Sequence, residues 1–378
     1  MAALAWVLFA LTAGAAVFSI LVLWAARSYL AVPRPALIHA VPISILKPLS
    51  GLDEGLEENL RSFFAQDYPD FEIVFSVRHA DDPAAAVVEK LRREYPGIPA
   101  RLVVTGEPPY ANAKVYALER MLAEARHELL VMADSDTRVG PDLLRAIAAE
   151  FEDPALGLAT CPYRAVSGKD VWSKLEVIGM NTEFVAGVLV ARLLEGMKFG
   201  VGPCMAVRRK TMAHMGGFAH FQSFLAEDFE MGRLAAALGY RNLLSSYVIE
   251  HRIGTQRMAP NFGHRLRWMR STRRSRPAGY LGQLFTYPVP LALLLWAAKP
   301  EWWPVSVFAI ALRAVSLWMT GVRVLGDRTL FARLGLVAME ELLSFGFWIA
   351  GFFGNTVKWR GHSYVLNRDG TFDPQPGG

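Results

Sequence analysis

Two aspartates separated by one serine follow an apolar run, and this spacing could serve a metal ion. Residues 128–134 read as a buried strand whose last residue, Asp134, begins the motif Asp134-Ser135-Asp136. Alternate residues at a strand end point the same way, so both carboxylates can approach one cation. Mg²⁺ and Mn²⁺ prefer oxygen ligands and can neutralise a departing diphosphate. The pattern predicts a metal-bound diphosphate, and the alternative is an acidic loop that caps the next helix.

Two further polar side chains follow neighbouring strand-like runs. Asp82 follows the second run and precedes Pro83, so it either caps a helix or contacts a ligand. Lys114 follows the third run and is either a solvated lysine at a helix start or a phosphate partner. In open parallel sheets, ligands bind beyond the carboxyl ends of the strands. This rule predicts that Asp82 and Lys114 lie near the two aspartates.

An acidic pair farther along the chain could supply a base. Glu227-Asp228 lies where the sequence FLAEDFEMGRL begins a helix. The helix dipole favours acidic residues in a first turn, which is one explanation for the pair. The other is catalysis, because a hydroxyl group is a poor nucleophile until a carboxylate takes its proton.

A basic stretch with an aromatic residue precedes the C-terminal apolar region. It reads His264-Arg265-Leu266-Arg267-Trp268. It could lie on a membrane surface with the tryptophan at headgroup level, and Arg267 could clamp a diphosphate through two hydrogen bonds. Nucleic-acid binding is disfavoured because the stretch leads directly into an apolar span, so no nucleic-acid partner is expected.

The elements that position these residues lie between apolar ends. The chain has 378 residues, of which 53% are hydrophobic, and a net charge of +5. Its mean hydropathy is +0.24, which is high for a soluble enzyme. The apolar excess at both ends predicts membrane segments around a globular centre, with the positive charge facing anionic lipid. Two cysteines are too few for a disulfide framework or a four-cysteine zinc site.

The central part alternates strand-like and helix-like patterns, which predicts an α/β fold with a mostly parallel sheet. The predicted strands span 41–49, 71–77, 101–106 and 128–134, and the predicted helices span 55–65, 83–96 and 113–125. Neither a dinucleotide-binding nor a P-loop glycine motif is present in the sequence.

The N-terminal end predicts a membrane-spanning helix. Residues 4–26 carry no charge and are long enough to cross a bilayer. A cleaved signal peptide is disfavoured because no basic region precedes the run. Arg27 and Arg34 follow it and place the central domain in the cytoplasm by the positive-inside rule, which suggests a bacterial inner membrane.

Two to three further membrane helices are predicted near the C-terminus. The apolar stretches are 281–298, 304–322 and 334–353, and charges at Arg313, Glu340 and Glu341 are expected to face protein or water. Three crossings would place the C-terminus outside the cytoplasm. The tail is nevertheless basic at Lys358, Arg360 and Arg368. Either one stretch is re-entrant or interfacial, or the charge rule fails here.

Taken together, the motifs resemble the ceramide glucosyltransferase family, glycosyltransferase family 21. The resemblance covers roughly residues 40–290, and PAGYLG at 277–282 is at least as similar to a related family that adds N-acetylglucosamine to hopanoid lipids. The resemblance implies a GT-A nucleotide-diphospho-sugar transferase fold. The matching pieces are ILKPLSGLDEGLEENLRSFFAQDYPDFEIVFSV, DDPAAAVVEKLRREYPGIPARLVV, ADSDTRVGPDLL, GGFAHFQSFLAEDFEMG and HRLRW.

The resemblance also implies roles for individual residues. Asp82 would contact the nucleotide base or ribose, Asp134 and Asp136 would hold Mg²⁺ or Mn²⁺, and Asp228 would be the catalytic base.

The family's final motif has glutamine or arginine, two residues, and then Arg-Trp. Arg267 and Trp268 match this motif and would hold the departing UDP. His264 departs from the motif, which leaves its function open.

The expected activity is inverting transfer from a UDP-sugar to a membrane-lipid hydroxyl, most simply glucose to ceramide. The alternatives are N-acetylglucosamine transfer to a hopanoid, a processive polysaccharide synthase, and a non-catalytic membrane scaffold. An apolar segment at 184–197 is either core helix or part of a lipid entrance. The predicted division is a membrane anchor at 1–34, a GT-A catalytic domain at 35–263, a basic interfacial segment at 264–280, and a membrane region with tail at 281–378.

Overall fold

The computed structural model describes residues 2–359 and 362–375, so Arg360 of the basic tail lies outside the described residues. The α-helices are, in chain order, α1 Ala2–Leu30, α2 Leu56–Phe64, α3 Pro83–Glu94, α4 Ala113–Glu124, α5 Leu143–Glu150, α6 Val171–Gly179, α7 Val185–Glu195, α8 Arg209–His214, α9 Glu227–Ala237, α10 Met258–Ser275, α11 Pro277–Gly282, α12 Pro288–Ala298, α13 Trp303–Leu317 and α14 Leu334–Gly351. The strands are β1 Ile43–Pro48, β2 Phe71–Val77, β3 Ala100–Val104, β4 Leu129–Ala133, β5 Thr137–Arg138, β6 Leu156–Thr160, β7 Tyr163–Ser167, β8 Cys204–Arg208, β9 Arg241–Leu244, β10 Ile249–Gly254, β11 Thr356–Trp359, β12 His362–Leu366 and β13 Phe372–Pro374. Short helical turns occupy Met180–Phe184, Phe218–Phe221, Gln283–Thr286, Pro300–Trp302, Trp318–Val324 and Arg328–Arg333.

A seven-stranded sheet forms the centre of the globular part, in the order β3-β2-β1-β4-β8-β6-β9. The first four strands are parallel, and Ile45 of β1 pairs with Ile73 on one side and Val131 on the other. Helices cover both faces, so β1, β2 and β4 are almost entirely buried and consist mainly of apolar residues. The predicted α/β fold is confirmed.

Strand β8 differs from its neighbours because it runs antiparallel between β4 and β6. Its first residue, Cys204, pairs with Ala133, the last residue of β4. The segment that leads into β8 therefore passes directly beside Asp134, whose N–H donates to the Pro203 carbonyl over 3.0 Å. This antiparallel strand brings a second loop to the edge of the sheet where the aspartates lie.

Helices α6 and α7 form one nearly continuous helix through the π-helical turn at Met180–Phe184. Within 184–197, residues 185–191 are buried except for the half-buried Gly187, whereas Phe184 and residues 194–196 are exposed. The first half of the segment therefore packs in the core as helix, whereas its two ends reach the surface.

Several apolar helices are long enough to cross a membrane. In the described residues they are α1, the α6–α7 helix, and the stretches Pro300–Val324 and Arg328–Gly351, with a bent pair at Pro277–Thr286 and Pro288–Ala298.

Helix α1 runs from the globular part to the turn between α12 and α13. The hydroxyl of Tyr29 donates to the Ser245 carbonyl over 2.7 Å, while Trp6 packs against Trp302 with a 4.8 Å centroid separation. The residues from Trp6 to Tyr29 span about 35 Å of helix, which is close to the thickness of a bilayer core of about 30 Å. The turn at Trp302 therefore lies a bilayer thickness away from the globular part.

The charges within the apolar C-terminal region are paired inside the protein, as expected. Arg313 donates to Glu341 over 2.6 Å and to the Thr182 hydroxyl over 3.0 Å. Arg265 of α10 donates to Glu340 over 2.8 Å. Such pairs avoid the cost of an unpaired charge in hydrocarbon, and they attach α13 and α14 to the globular part.

The first end of α14 lies against the globular part, and its second end lies against α10, the helix that carries the basic stretch. Before α14 begins, Arg333 donates to the Ser167 hydroxyl over 3.3 Å. After it ends, the Phe353 carbonyl accepts from Arg270 of α10 over 3.1 Å. The strands β11–β13 then form a small antiparallel sheet that packs on Leu225. The tail therefore shares a side with the globular part, which favours an interfacial α14 over a third crossing.

This arrangement predicts the labelling pattern of single cysteines by a membrane-impermeant maleimide. Glu107→Cys in the globular part and Arg368→Cys in the tail should label from one side of sealed vesicles, and Glu301→Cys from the other. Cys161 and Cys204 are buried and should give little background. Labelling of Arg368→Cys together with Glu301→Cys would contradict this topology.

Candidate active site

The turn that follows β4 is held by hydrogen bonds to the backbone of Asp134. Its carbonyl accepts from the Thr137 N–H over 3.2 Å and from the Thr137 hydroxyl over 2.6 Å. The N–H of Arg252 donates to the Asp136 carbonyl over 2.7 Å, which ties the turn to β10. These bonds fix the backbone positions of Asp134 and Asp136 at the two ends of the turn.

Lys47 of β1 supports this turn through hydrogen bonds, a role that was not predicted from the sequence. Its ammonium donates to the Asp134 carbonyl over 2.8 Å and to the Thr137 hydroxyl over 3.2 Å, and it lies 3.8 Å from the centre of the Phe63 ring. Burial lowers the pKa of Lys47 to about 8. The available signal was a lone lysine inside the apolar strand ILKPL, a position that requires buried partners.

Lys114 joins two acidic groups from different loops. Its ammonium lies 2.7 Å from a carboxylate oxygen of Asp134 and 3.1 Å from one of Glu227. Burial opposes the charged form, but Asp134 and Glu227 outweigh it and raise the pKa of Lys114 above its ordinary value. Burial also raises the pKa of Asp134. The lysine therefore stays positively charged. A phosphate group could take the place of one of its two carboxylate partners.

Asp136 faces a histidine from β10. The antiparallel pairing of His251 with Thr137 places the imidazole 3.0 Å from Asp136 Oδ2. Burial opposes ionisation of Asp136, but His251 outweighs it and holds the pKa of Asp136 below its ordinary value. The same contact raises the pKa of His251 against the effect of burial. His251 could not be selected from the sequence, because the strand register that brings it to Asp136 has no local sequence signal.

The aspartates suit a divalent cation. Oδ1 of Asp136 is buried and has no hydrogen-bond partner in the described residues, although the side chains of Asp134 and Asp136 are each about one-third exposed. An ionised oxygen without a donor is a suitable ligand for a hard cation. No cluster of three or more His, Cys, Asp or Glu side chains in the described residues is already gathered around one point. Part of the cation's shell would therefore come from substrate phosphate or water.

Asp228 lies against a glycine-rich loop that the sequence analysis did not select. A methyl group on Gly202 would fall 2.6 Å from Asp228 Oδ2, and one on Gly200 would meet the Asp228 carbonyl. Burial and the neighbouring Glu227 raise the pKa of Asp228 to about 6. A half-buried carboxylate with this pKa is well suited to accept a proton near neutral pH.

Asp82 is held by backbone donors in the segment between β2 and α3. Its carboxylate caps α3 by accepting from the Ala84 N–H over 2.9 Å, and it accepts from the Gly51 N–H over 3.1 Å. A small cavity of about 30 Å³ lies between the neighbouring strand ends, with Ser76, Arg78, Thr105 and Lys114 in its lining. Asp82 is outside that lining, so capping is its observed role.

The Arg-Trp motif lies on α10. The ring of Trp268 lies 4.6 Å from that of His264 and 6.4 Å from that of Phe184. Phe184 stacks on Tyr163 at 5.5 Å, and Tyr163 meets His251 at 5.2 Å. A chain of aromatic rings therefore connects Trp268 to the histidine that faces Asp136.

His264 and Arg267 lie on the same helix as Trp268. His264 has a structural contact, because its Nδ1 lies 2.7 Å from a carboxylate oxygen of the buried Glu176. This contact explains how the helix tolerates histidine at the position that departs from the motif. Arg267 is half-buried beside Trp268.

A sequence profile decides the family. The profile of Glycosyl transferase family 21 matches residues 7–372. The chain belongs to glycosyl transferase family 21. The match covers the globular part, the apolar helices and most of the tail of this family 21 chain.

Curated relatives of the family 21 chain share less than 30% sequence identity with it in the two cases below. Ceramide glucosyltransferase 1 of Caenorhabditis elegans is 27% identical over 207 residues, which cover 54% of this chain and 44% of that protein. An N-acetylglucosaminyltransferase of Rhizobium sp. (strain N33) is 28% identical over 174 residues, which cover 43% of this chain and 37% of that protein. The matched regions thus span less than half the length of either relative.

A solved structure supports the fold. The mannosyltransferase PcManGT from Pyrobaculum calidifontis, solved in complex with GDP-Man and Mn²⁺, superposes with a TM-score of 0.55 at 21% identity. The superposition covers 92% of this chain and 97% of that chain. The predicted GT-A fold with an N-terminal apolar helix and several C-terminal apolar helices is confirmed.

The close approach at Gly202 predicts a selective loss of activity. In Gly202→Ala, the added methyl group should displace the Asp228 carboxylate and lower kcat for glycosyl transfer by about 10–100-fold. Gly97→Ala is the matched control, because a methyl group there meets no atom within 4 Å. Equal kcat values for the two variants, measured with folded protein, would show that the loop does not position Asp228.

Proposed function

We propose that this family 21 chain moves a hexose from a UDP-sugar to the hydroxyl group of a membrane lipid, with inversion at the anomeric carbon. The observation that carries the proposal is that Asp228 adjoins the cluster of Lys114, Asp134 and Glu227. A proton acceptor beside a cluster suited to a diphosphate is what this transfer requires. The same globular part packs on α1, a helix apolar enough to cross a membrane.

In the proposed donor site, Asp134 and Asp136 hold Mg²⁺ or Mn²⁺, and Lys114 contacts a phosphate. The bound cation would offset the negative charge that grows on the diphosphate as its bond to the sugar breaks. Asp82 contacts the base or ribose. This assignment is supported by the position of Asp82 in the segment that joins β2 to α3, beyond the carboxyl end of β2, as the aspartates lie beyond β4.

Asp228 carries out the proton chemistry in this proposal. Its carboxylate takes the proton of the lipid hydroxyl while the hydroxyl oxygen forms a bond to the anomeric carbon. The bond from that carbon to the diphosphate oxygen breaks, and UDP departs with the electron pair. Attack opposite the leaving group inverts the configuration at the anomeric carbon. Arg267 and Trp268 hold the departing UDP at the proposed interfacial segment.

The acceptor is proposed to be ceramide, with glucose as the sugar. The similarity to a ceramide glucosyltransferase supports this choice. The similarity to an N-acetylglucosaminyltransferase supports the second candidate, N-acetylglucosamine transfer to a hopanoid lipid. In both cases the lipid would approach from the bilayer past the exposed ring of Phe184, which lies next to Trp268. We place the catalytic part at the cytoplasmic face, from Arg27 and Arg34.

Purified protein in lipid nanodiscs provides the direct test of this proposal. UDP-glucose and UDP-N-acetylglucosamine are each supplied with ceramide or with a hopanoid, with Mn²⁺ present, and the lipids are identified by mass spectrometry. Glucosylceramide is the expected product. An N-acetylglucosaminyl hopanoid would select the second candidate, and the absence of any glycolipid would contradict lipid transfer.

The raised pKa of Asp228 predicts the pH dependence. The base must be ionised, so kcat should be constant above about pH 7 and fall about tenfold per pH unit below about pH 6. Asp228→Asn should lower kcat by about 10²–10⁴-fold and abolish this acid limb.

The exposed Asp70 provides a control for the same chemical change. Asp70→Asn should keep both the rate and the pH profile of the unmodified protein. An Asp228→Asn protein with normal turnover would refute the base assignment.

A further inference from the structure

The tail sheet, strands β11–β13, covers the chain segment that leads into the proposed base. Phe372 and Leu366 are each only 2% exposed, and with Val357 and Tyr364 they enclose Leu225. Leu225 lies two residues before Glu227 and three before Asp228. An apolar cluster formed between the tail and this segment therefore restrains the approach to the base.

Backbone hydrogen bonds add a fixed register to this apolar contact. The Phe372 N–H donates to the Ser223 carbonyl over 2.9 Å, and Thr371 forms an antiparallel bridge with Phe224. Residues 223 and 224 are thus paired with the tail as a short strand is paired with its neighbour. Such pairing fixes both the position and the direction of the segment.

The same segment is tied to the helix that carries Lys114. The side-chain amide of Asn112 donates to the Phe224 carbonyl over 2.8 Å, and its oxygen caps α4 by accepting from the Val115 N–H over 3.1 Å. Ala111 packs on the tail cluster. The tail sheet therefore contacts both loops that supply the ion pair between Lys114 and Glu227.

The other end of the tail is fixed to α10, the helix of the Arg-Trp motif. Arg270 donates to the Thr356 carbonyl over 2.5 Å, and Arg273 donates to the Gly354 carbonyl over 2.9 Å. Both arginines lie within five residues of Trp268. The tail thus spans from the helix of the Arg-Trp motif to the segment that carries Asp228.

We propose that the tail sheet is a positioning element of the active site, with Phe372 as its positioning residue. It holds the segment 223–228 so that Asp228 faces the donor cluster, and it couples this segment to α10. The inference rests on the proposed role of Asp228 as the base. Phe372 does not contact the reacting atoms, so it should influence the orientation of the base more than donor binding.

Kinetics on the full chain in nanodiscs with UDP-glucose and ceramide separate positioning from binding. Phe372→Ala should lower kcat at least tenfold, with a change of less than threefold in KM for UDP-glucose. The acid limb of the pH profile should move to lower pH, because loosening the segment relieves part of the burial of Asp228. Phe372→Leu should restore most of kcat, and Lys358→Ala, an exposed change on the same sheet, should have no effect.

Hydrogen–deuterium exchange provides a readout that does not require turnover. Residues 222–228 should exchange faster in Phe372→Ala than in the unmodified protein, and Leu225→Ala should reproduce the effect from the other side of the contact. If the variants exchange faster but the unmodified protein shows no transfer activity, the restraint is supported and the proposed function fails. Unchanged exchange in both variants, or unchanged kcat with faster exchange, would overturn the positioning role.

Discussion

The contact of Lys114 with Asp134 and Glu227 is the interaction on which the proposed site depends. It joins the end of β4, the start of α4 and the start of α9, three elements that are distant in sequence. Without a cation between them, these carboxylates and the adjacent Asp228 would repel one another in a partly buried setting. The lysine offsets that repulsion, and the remaining excess of negative charge is what a metal ion and its bound diphosphate would meet.

The elements around this cluster restrain it from several directions. Lys47 of β1 holds the turn after β4 through hydrogen bonds, and the loop with Gly202 packs against the carboxylate of Asp228. The series of aromatic contacts from Trp268 to His251 connects α10 to the histidine that contacts Asp136. The apolar helices and the tail then lie around a site whose geometry is set by buried polar contacts, so changes far from the cluster can alter the position of its groups.

Much of the sheet could be predicted because its strands are buried on both faces. Each predicted strand or helix boundary in the first half of the globular part lies within two residues of the observed one. Asp134 and Asp136 could be selected because they follow such a strand. His251 could not, because its approach to Asp136 depends on the pairing of β10 with β5, which has no local signature. The path of the tail was equally hidden, since hydropathy measures whether α14 can enter a membrane and not whether its two ends return to the same side.

The binding of UDP in the presence and absence of Mn²⁺ tests the central claim most directly, that the strand edge at Asp134 and Asp136 forms a metal–diphosphate site. Calorimetric titration of the purified protein should show binding that weakens at least about tenfold when the metal is removed, because the diphosphate then loses its bridging cation. Asp136→Asn should cause a similar loss with Mn²⁺ present, and Asp70→Asn should not. Equal affinity for UDP with and without metal, unchanged by Asp136→Asn, would contradict the account.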